Sequence, residues 1–209
     1  MEFLKEVPKE VWYATVDLIN KLLYPVTATT VGVGKLIEHK FSTLTEIHKI
    51  IAKKTLEEAS EKISKLKISN FNNVVVKPQI IYIVLENVDS QSDDFMRSLW
   101  ANVTARELTE GSVHPEIARL FSKLTAPDLM VLSELYSQHS SITKLLLKAL
   151  ASAYTLGISR DPKSFHHVYL ADLGLIDDVS GKWFVTTKGK ELIRCIGEVE
   201  KAASAATMS

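Results

Sequence analysis

Apolar residues recur at three- and four-residue steps along most of the chain, which predicts a mainly α-helical protein. Residues 9–23 place Val11, Trp12, Ile19, Leu22 and Leu23 at helical spacing, closed by Tyr24-Pro25. From Lys35 to Leu66 no Pro or Gly intervenes, and the apolar positions are Ile37, Phe41, Leu44, Ile47, Ile51, then Leu56, Ala59, Ile63 and Leu66. The step from Ile51 to Leu56 is longer than a helical turn, so the stripe slips there. One helix over this span would be about 48 Å long at about 1.5 Å per residue. It must bend near Lys53-Lys54 or project onto a partner, and Ile37, Phe41, Leu44, Ile47 and Ile51 are the candidate contact residues.

Residues 68–77, Asn-rich around three valines, form a connector, and Pro78 suits the first turn of an apolar helix over 78–88. Ser90-Gln91-Ser92-Asp93-Asp94 starts a helix with Phe95, Met96, Leu99, Trp100 and Val103 on one face, ending near Gly111. His114-Pro115-Glu116 starts a short helix, and Thr125 with Asp128 three residues on gives a capping-box start for another. A further helix is expected over 141–154. Asp161-Pro162 opens one that stops at Leu173-Gly174. Two strands, 175–179 and 182–186, with a turn at Ser180-Gly181, and a last helix capped by Thr187 complete the back half of a winged-helix unit. The pattern divides the chain into an N-terminal helical region, 1–68, a helical middle region, 69–124, and a winged-helix-like region, 125–209, with a small two-stranded β wing.

Charge changes the picture of that unit. Basic and acidic side chains balance at 25 each, and regionally at 11 against 9, 5 against 7 and 9 against 9. A domain that grips duplex DNA carries a basic surplus. The recognition helix would offer Lys163, Ser164, His166 and His167, and the wing Lys182, opposed by Asp161, Asp172, Asp177 and Asp178. These five candidate DNA contacts make a poor phosphate grip. A structural or protein-binding use of the fold is the stronger expectation.

The remaining chemistry is sparse. His166 and His167 are adjacent, whereas two ligands on one helix normally stand three or four residues apart, so no metal site is assigned. They read as helix-surface residues, one packing under the wing. His114, with Asp128 or Glu134 as partner, fits a helix cap better than a base. Cys195, the one cysteine, sits beside Ile193 and Ile196 as a buried structural thiol and suits a reducing compartment. Gly32-Val33-Gly34-Lys35 fails as a phosphate loop because Leu36 follows the lysine. No catalytic or cofactor-binding residue is assigned. The longest uncharged run, Leu22 to Gly34, is too short to span a bilayer, and no secretory signal opens the chain, so the cytoplasm is expected.

Two segments carry a family resemblance. Phe95-Met96-Arg97-Ser98-Leu99-Trp100-Ala101-Asn102-Val103, with Val113-His114-Pro115-Glu116-Ile117 and Leu124-Thr125-Ala126-Pro127-Asp128, forms the first, and Leu173-Gly174-Leu175-Ile176 with Val185-Thr186-Thr187-Lys188-Gly189 the second. Over about residues 70 to 195 the chain resembles the Abi-alpha family of bacterial abortive-infection proteins, though Thr-Ala-Pro stands where that family tends to have Ser-Pro. The resemblance implies a role in phage resistance, by limiting growth or viability of an infected cell, and carries no catalytic residue. The expectation is a non-enzymatic defence protein acting through protein or membrane-surface contacts, with a protein partner or a second copy on the 35–66 helix. Its rival is a winged-helix DNA-binding regulator.

Overall fold

A computed structural model describes residues 39–66, 74–137, 164–180 and 182–199. The helices expected over 9–23 and 141–154, the Gly32-Lys35 segment, Ile37 and Lys163 lie outside those residues. Within them the protein is mainly helical, with one small antiparallel sheet near the C-terminus.

The helix expected over 35–66 is interrupted at Thr43 to Thr45. Ser42 Oγ donates to His39 O at 2.6 Å and Thr43 Oγ1 to Lys40 O at 2.7 Å, closing the first helical turn on itself. Thr45 then caps a new helix, α1, Glu46–Lys65, its Oγ1 accepting from His48 N at 3.4 Å. Short hydroxyl side chains offer the backbone such alternatives to continued helix, and three of them fall within four residues here. Past that point α1 runs unbroken through Lys53-Lys54. Its inward positions are Ala52, Thr55, Leu56 and Ala59, so small residues and a threonine bridge the gap between Ile51 and Leu56. Thr55 Oγ1 is satisfied by Gln91 Oε1 at 2.7 Å.

Pro78 opens α2, Pro78–Glu86, and a 3₁₀ turn over Val88–Ser92 leads to α3, Asp94–Glu110. Asp93 Oδ1 accepts from Met96 N at 2.9 Å to cap α3, and Gly111, at φ 61°, ends it. The expected single apolar face is too narrow a description of α3. Every residue from Leu99 to Thr109 is buried, including Asn102, Arg106 and Glu107, because α1 covers one flank and α2 and α7 cover others. Ala59 on α1 meets Ala101 and Ala105, and these small side chains let the two helices approach.

His114 caps α4, Pro115–Phe121, through Nδ1, which accepts from Glu116 N at 3.1 Å. Thr125 precedes α5, Ala126–Ser137. The Asp161-Pro162 start expected for the next helix lies outside the described residues; within them the helix is α6, Phe165–Asp172, entered from Ser164, which is extended at ψ 153°. Gly174 turns the chain at φ 70° into β1, Ile176–Val179, which pairs antiparallel with β2, Lys182–Val185. The register sets Ile176 opposite Val185 and Asp178 opposite Trp183. Alternation therefore gives the wing an inner face of Ile176, Asp178, Trp183 and Val185 and an outer face of Asp177, Val179, Lys182 and Phe184.

The last helix, α7, Thr187–Ile196, is capped by Thr186 and not by Thr187. Thr186 Oγ1 accepts from Gly189 N at 3.1 Å and donates to Gly174 O at 2.7 Å, so a single hydroxyl ties the end of α6 to the start of α7. One apolar cluster then takes residues from Ile80 to Ile196, on both sides of position 124, with Trp100, Phe121, Leu132 and Leu170 fully buried in it. A second cluster, Phe41, Leu56, Ile81, Leu85 and Leu108 among its members, lies under α1.

Gly189 is where the wing closes on α7. A Cβ there would collide with Leu175 O and lie 2.8 Å from Val185 Cγ1. Gly189→Ala is expected to cost about 1–3 kcal/mol, as overpacking of a backbone contact does, read as a lower urea midpoint. A midpoint equal to wild type would mean that hairpin and helix do not meet this closely.

Candidate functional site

The densest polar constellation in the winged unit is built where α5 begins and α6 crosses it. Asp128, three residues after Thr125, turns its carboxylate back on the cap: Oδ2 accepts from Thr125 N at 2.8 Å and from Thr125 Oγ1 at 2.6 Å. The other oxygen, Oδ1, lies 2.7 Å from Nδ1 of His166 on α6. Asp128 is almost wholly buried, while the His166 side chain is 36% exposed. A carboxylate oxygen facing Nδ1 places a proton on that nitrogen and leaves Nε2 as the outward atom. One turn away, Ser164 Oγ lies 2.7 Å from His167 Nδ1, and the buried His167 ring packs 5.6 Å from the indole of Trp183. Tyr169 OH donates to Lys123 O at 2.9 Å, fixing the middle of α6 to the segment after α4.

This arrangement orients His166, and among the described residues it gives it no second reacting group. General acid–base work needs a nucleophile or oxyanion donor converging on the same point. Among the described residues no three His, Cys, Asp or Glu side chains are placed to hold a metal ion. His114 is taken up as a cap, and the Asp128 weighed as its partner serves His166 instead. Cys195 is fully buried in α7, and burial pushes its thiol up to about 12 despite the neighbouring Arg194. Arg194 spans Glu191 at 2.7 Å and Glu110 at 3.3 Å, tying α7 to the end of α3, and its hydrogen bond holds the Glu191 carboxyl below the usual range.

Of the five candidate DNA contacts, Ser164 is bound to His167, His166 to Asp128, and His167 is buried under the wing; Lys182 is the exposed cation among those described. The surface that α6 does present is Phe165, Val168 and Asp172, at i, i+3 and i+7 on one face. Phe165 is 74% exposed and Val168 49%, with the Phe165 ring stacked on Tyr169 at 5.8 Å. No lysine or arginine occurs from Phe165 to Asp172.

The candidate partner contacts also separate. Phe41 is buried in the cluster under α1, and Leu44 and Ile51 pack partly against it, so the protein itself covers them. Ile47 is exposed at 61%, and its neighbour on the same face is Ile50 at 43%, which the stripe at 37, 41, 44, 47 and 51 passed over. A different stripe faces outward because the break at Thr43 to Thr45 resets the helical phase. Among the described residues no helix is long and apolar enough to cross a membrane.

No family model, no curated protein and no solved structure matches this chain.

Proposed function

We propose that this chain acts by protein contact and not by catalysis, as a bacterial defence protein of abortive-infection type working in the cytoplasm. The observation that carries the contact half is α6. Where a winged-helix DNA reader sets cations and polar side chains into the major groove, this helix has no cation and turns Phe165 and Val168 outward. Exposed aromatic and β-branched side chains suit a desolvated protein interface. They do not neutralise phosphate. A membrane-surface role is disfavoured because the outward apolar residues on α1 and α6 come in pairs, too little area for stable interfacial insertion. The defence half rests on the Abi-alpha resemblance of Phe95 to Asp128.

The test is phage challenge of bacteria expressing wild type or Phe165→Asp/Val168→Asp. Both positions are exposed, so stability should move by no more than about 0.5 kcal/mol per site. The expected result is reduced phage yield with wild type and loss of that protection with the double variant at equal protein abundance. Undiminished protection would remove α6 as the contact surface. Retention on generic duplex DNA at low salt, falling as salt rises, would overturn the protein-contact reading in favour of DNA.

A further inference from the structure

Two helices carry the same outward motif with opposite ends. On α1 the exposed face reads Ile47, Ile50, Lys54; on α6 it reads Phe165, Val168, Asp172. Both are i, i+3, i+7, so each places two apolar side chains and then one charge over about 10.5 Å of helix. Lys49, Lys53 and Lys62 on α1 are paired with Glu46, Glu57 and Glu58, but Lys54 makes no ion pair among the described residues, and neither does Asp172.

We infer that the partner of α6 is α1 of a second copy of this chain, the two helices lying parallel with Ile47 against Phe165, Ile50 against Val168 and Lys54 against Asp172. This rests on the reading of α6 as a protein-contact surface. Parallel register is selected by what the alternatives bury. An antiparallel arrangement sets Asp172 on Ile47 and Lys54 on Phe165, stripping water from both charges without pairing them. Pairing α1 with α1 in parallel opposes Lys54 to Lys54, and pairing α6 with α6 opposes Asp172 to Asp172. The cross pairing alone matches apolar with apolar and cation with anion. Beyond the motif, α1 continues with exposed Glu57 and Glu61, so extended contact along the helix is electrostatically limited and the stripe itself sets the register. Every copy carries both motifs, so a two-fold pair makes the contact twice, whereas a head-to-tail chain makes it once per junction.

Charge exchange tests this on the full-length chain, by sedimentation velocity across a concentration series at low salt. Wild type should self-associate, and Lys54→Asp and Asp172→Lys should each weaken association at least about tenfold, since like charges then face each other. The double exchange, Lys54→Asp with Asp172→Lys in one chain, should restore association to near the wild-type level. Mixing the two single variants should also restore assembly, because Asp at 54 then meets Lys at 172 of the other chain. Circular dichroism and thermal midpoints serve as folding controls, both sites being exposed. Wild type that stays monomeric throughout, or single losses that the double exchange leaves unrepaired, would overturn the inference. If Phe165→Asp/Val168→Asp abolishes protection while wild type is monomeric, this inference falls and the protein-contact reading stands. If protection survives that variant while association obeys the charge exchange, the self-contact stands and the functional reading falls.

Discussion

Replacing Glu107 by alanine is expected to destabilise the protein by about 3–5 kcal/mol, the range seen when one member of a buried charged pair is removed. Glu107 lies in α3 with no exposed surface, and its carboxylate is the acceptor for three separate donors. Oε1 accepts from Lys77 N at 2.5 Å, Oε2 from Val113 N at 3.1 Å, and Lys77 Nζ stands 3.2 Å from Oε2. The two backbone amides belong to segments flanking α2 and α4, neither of which has a regular partner for them. Lys77 Nζ also donates to Gly111 O, so the same carboxylate holds the connector before α2 against the C-terminus of α3. Gly111 fits this junction because its φ is 61° and a Cβ would sit 2.6 Å from Val75 O. Glu107→Ala leaves both amides without an acceptor, at about 1–3 kcal/mol for each that stays buried. Glu107→Gln keeps one acceptor oxygen and should cost less. Urea unfolding of the two variants measures the difference; an alanine variant within about 1 kcal/mol of wild type would show that the junction has another support.

The pH dependence of that gap has a defined sign. Burial lifts the Glu107 carboxyl above its ordinary value of 4.5, with the Lys77 and Val113 bonds opposing the rise. A folded-state value above the unfolded one means that the native state holds the proton more tightly between the two. The associated stability is fully present below 4.5 and is lost as pH rises through the folded value. The advantage of wild type over Glu107→Gln should therefore be full below 4.5 and shrink as pH rises through the raised folded-state value. Glu191 works the other way, because its bond to Arg194 lowers its value, so its contribution is present above 4.5 and fades as pH falls. It is partly exposed, and its contribution is correspondingly small.

Local signals in the sequence carried much of the fold. The start of α3 at Asp93, its stop at Gly111, the His114 and Thr125 starts, and the hairpin between Gly174 and Thr186 are each set by one or two residues whose preferred geometry leaves few alternatives. The break at Thr43 to Thr45 is written in Ser42-Thr43-Leu44-Thr45, whose hydroxyls compete with the helix backbone, while the apolar stripe runs on through it at Phe41, Leu44 and Ile47. The cap at Thr186 instead of Thr187 is a one-residue matter, decided by the reach of its hydroxyl to Gly174 O. The site was less legible. Asp128 and His166 are 38 positions apart, and no period or spacing connects them. Glu107 was hidden for a related reason: α3 is buried all round from Leu99 to Thr109, and the partners of its carboxylate, Lys77 and Val113, lie on other segments of the chain. The one available hint was that Leu99 to Ala105 carries no charged residue, which suits a helix stretch buried all round.

Trp100→Ala is the second large effect, expected at about 3–5 kcal/mol, as for other fully buried aromatic truncations. Trp100 has no exposed surface, its ring lies 4.4 Å from that of Phe121 at 44°, and its indole Nε1 donates to Ser90 Oγ at 3.0 Å. It therefore joins α3 to α4 by packing and to the 3₁₀ turn by a hydrogen bond. Phenylalanine at this position keeps most of the packing and loses the bond, which predicts a cost of about 1–2 kcal/mol from the unmade bond and the smaller ring. For a chain of this size each kcal/mol shifts the thermal midpoint by about 2–4 °C. Alanine should then lower it by roughly 6–20 °C and phenylalanine by a few degrees, multiplying that slope by the two costs. Ser90→Ala isolates the bond from the packing. If the volume of Trp100 dominates, Ser90→Ala should cost no more than Trp100→Phe, since it removes the bond and leaves the Phe121 contact intact. A Ser90→Ala loss as large as that of Trp100→Ala would place the energy in the hydrogen bond and not in the packing of Trp100 on Phe121.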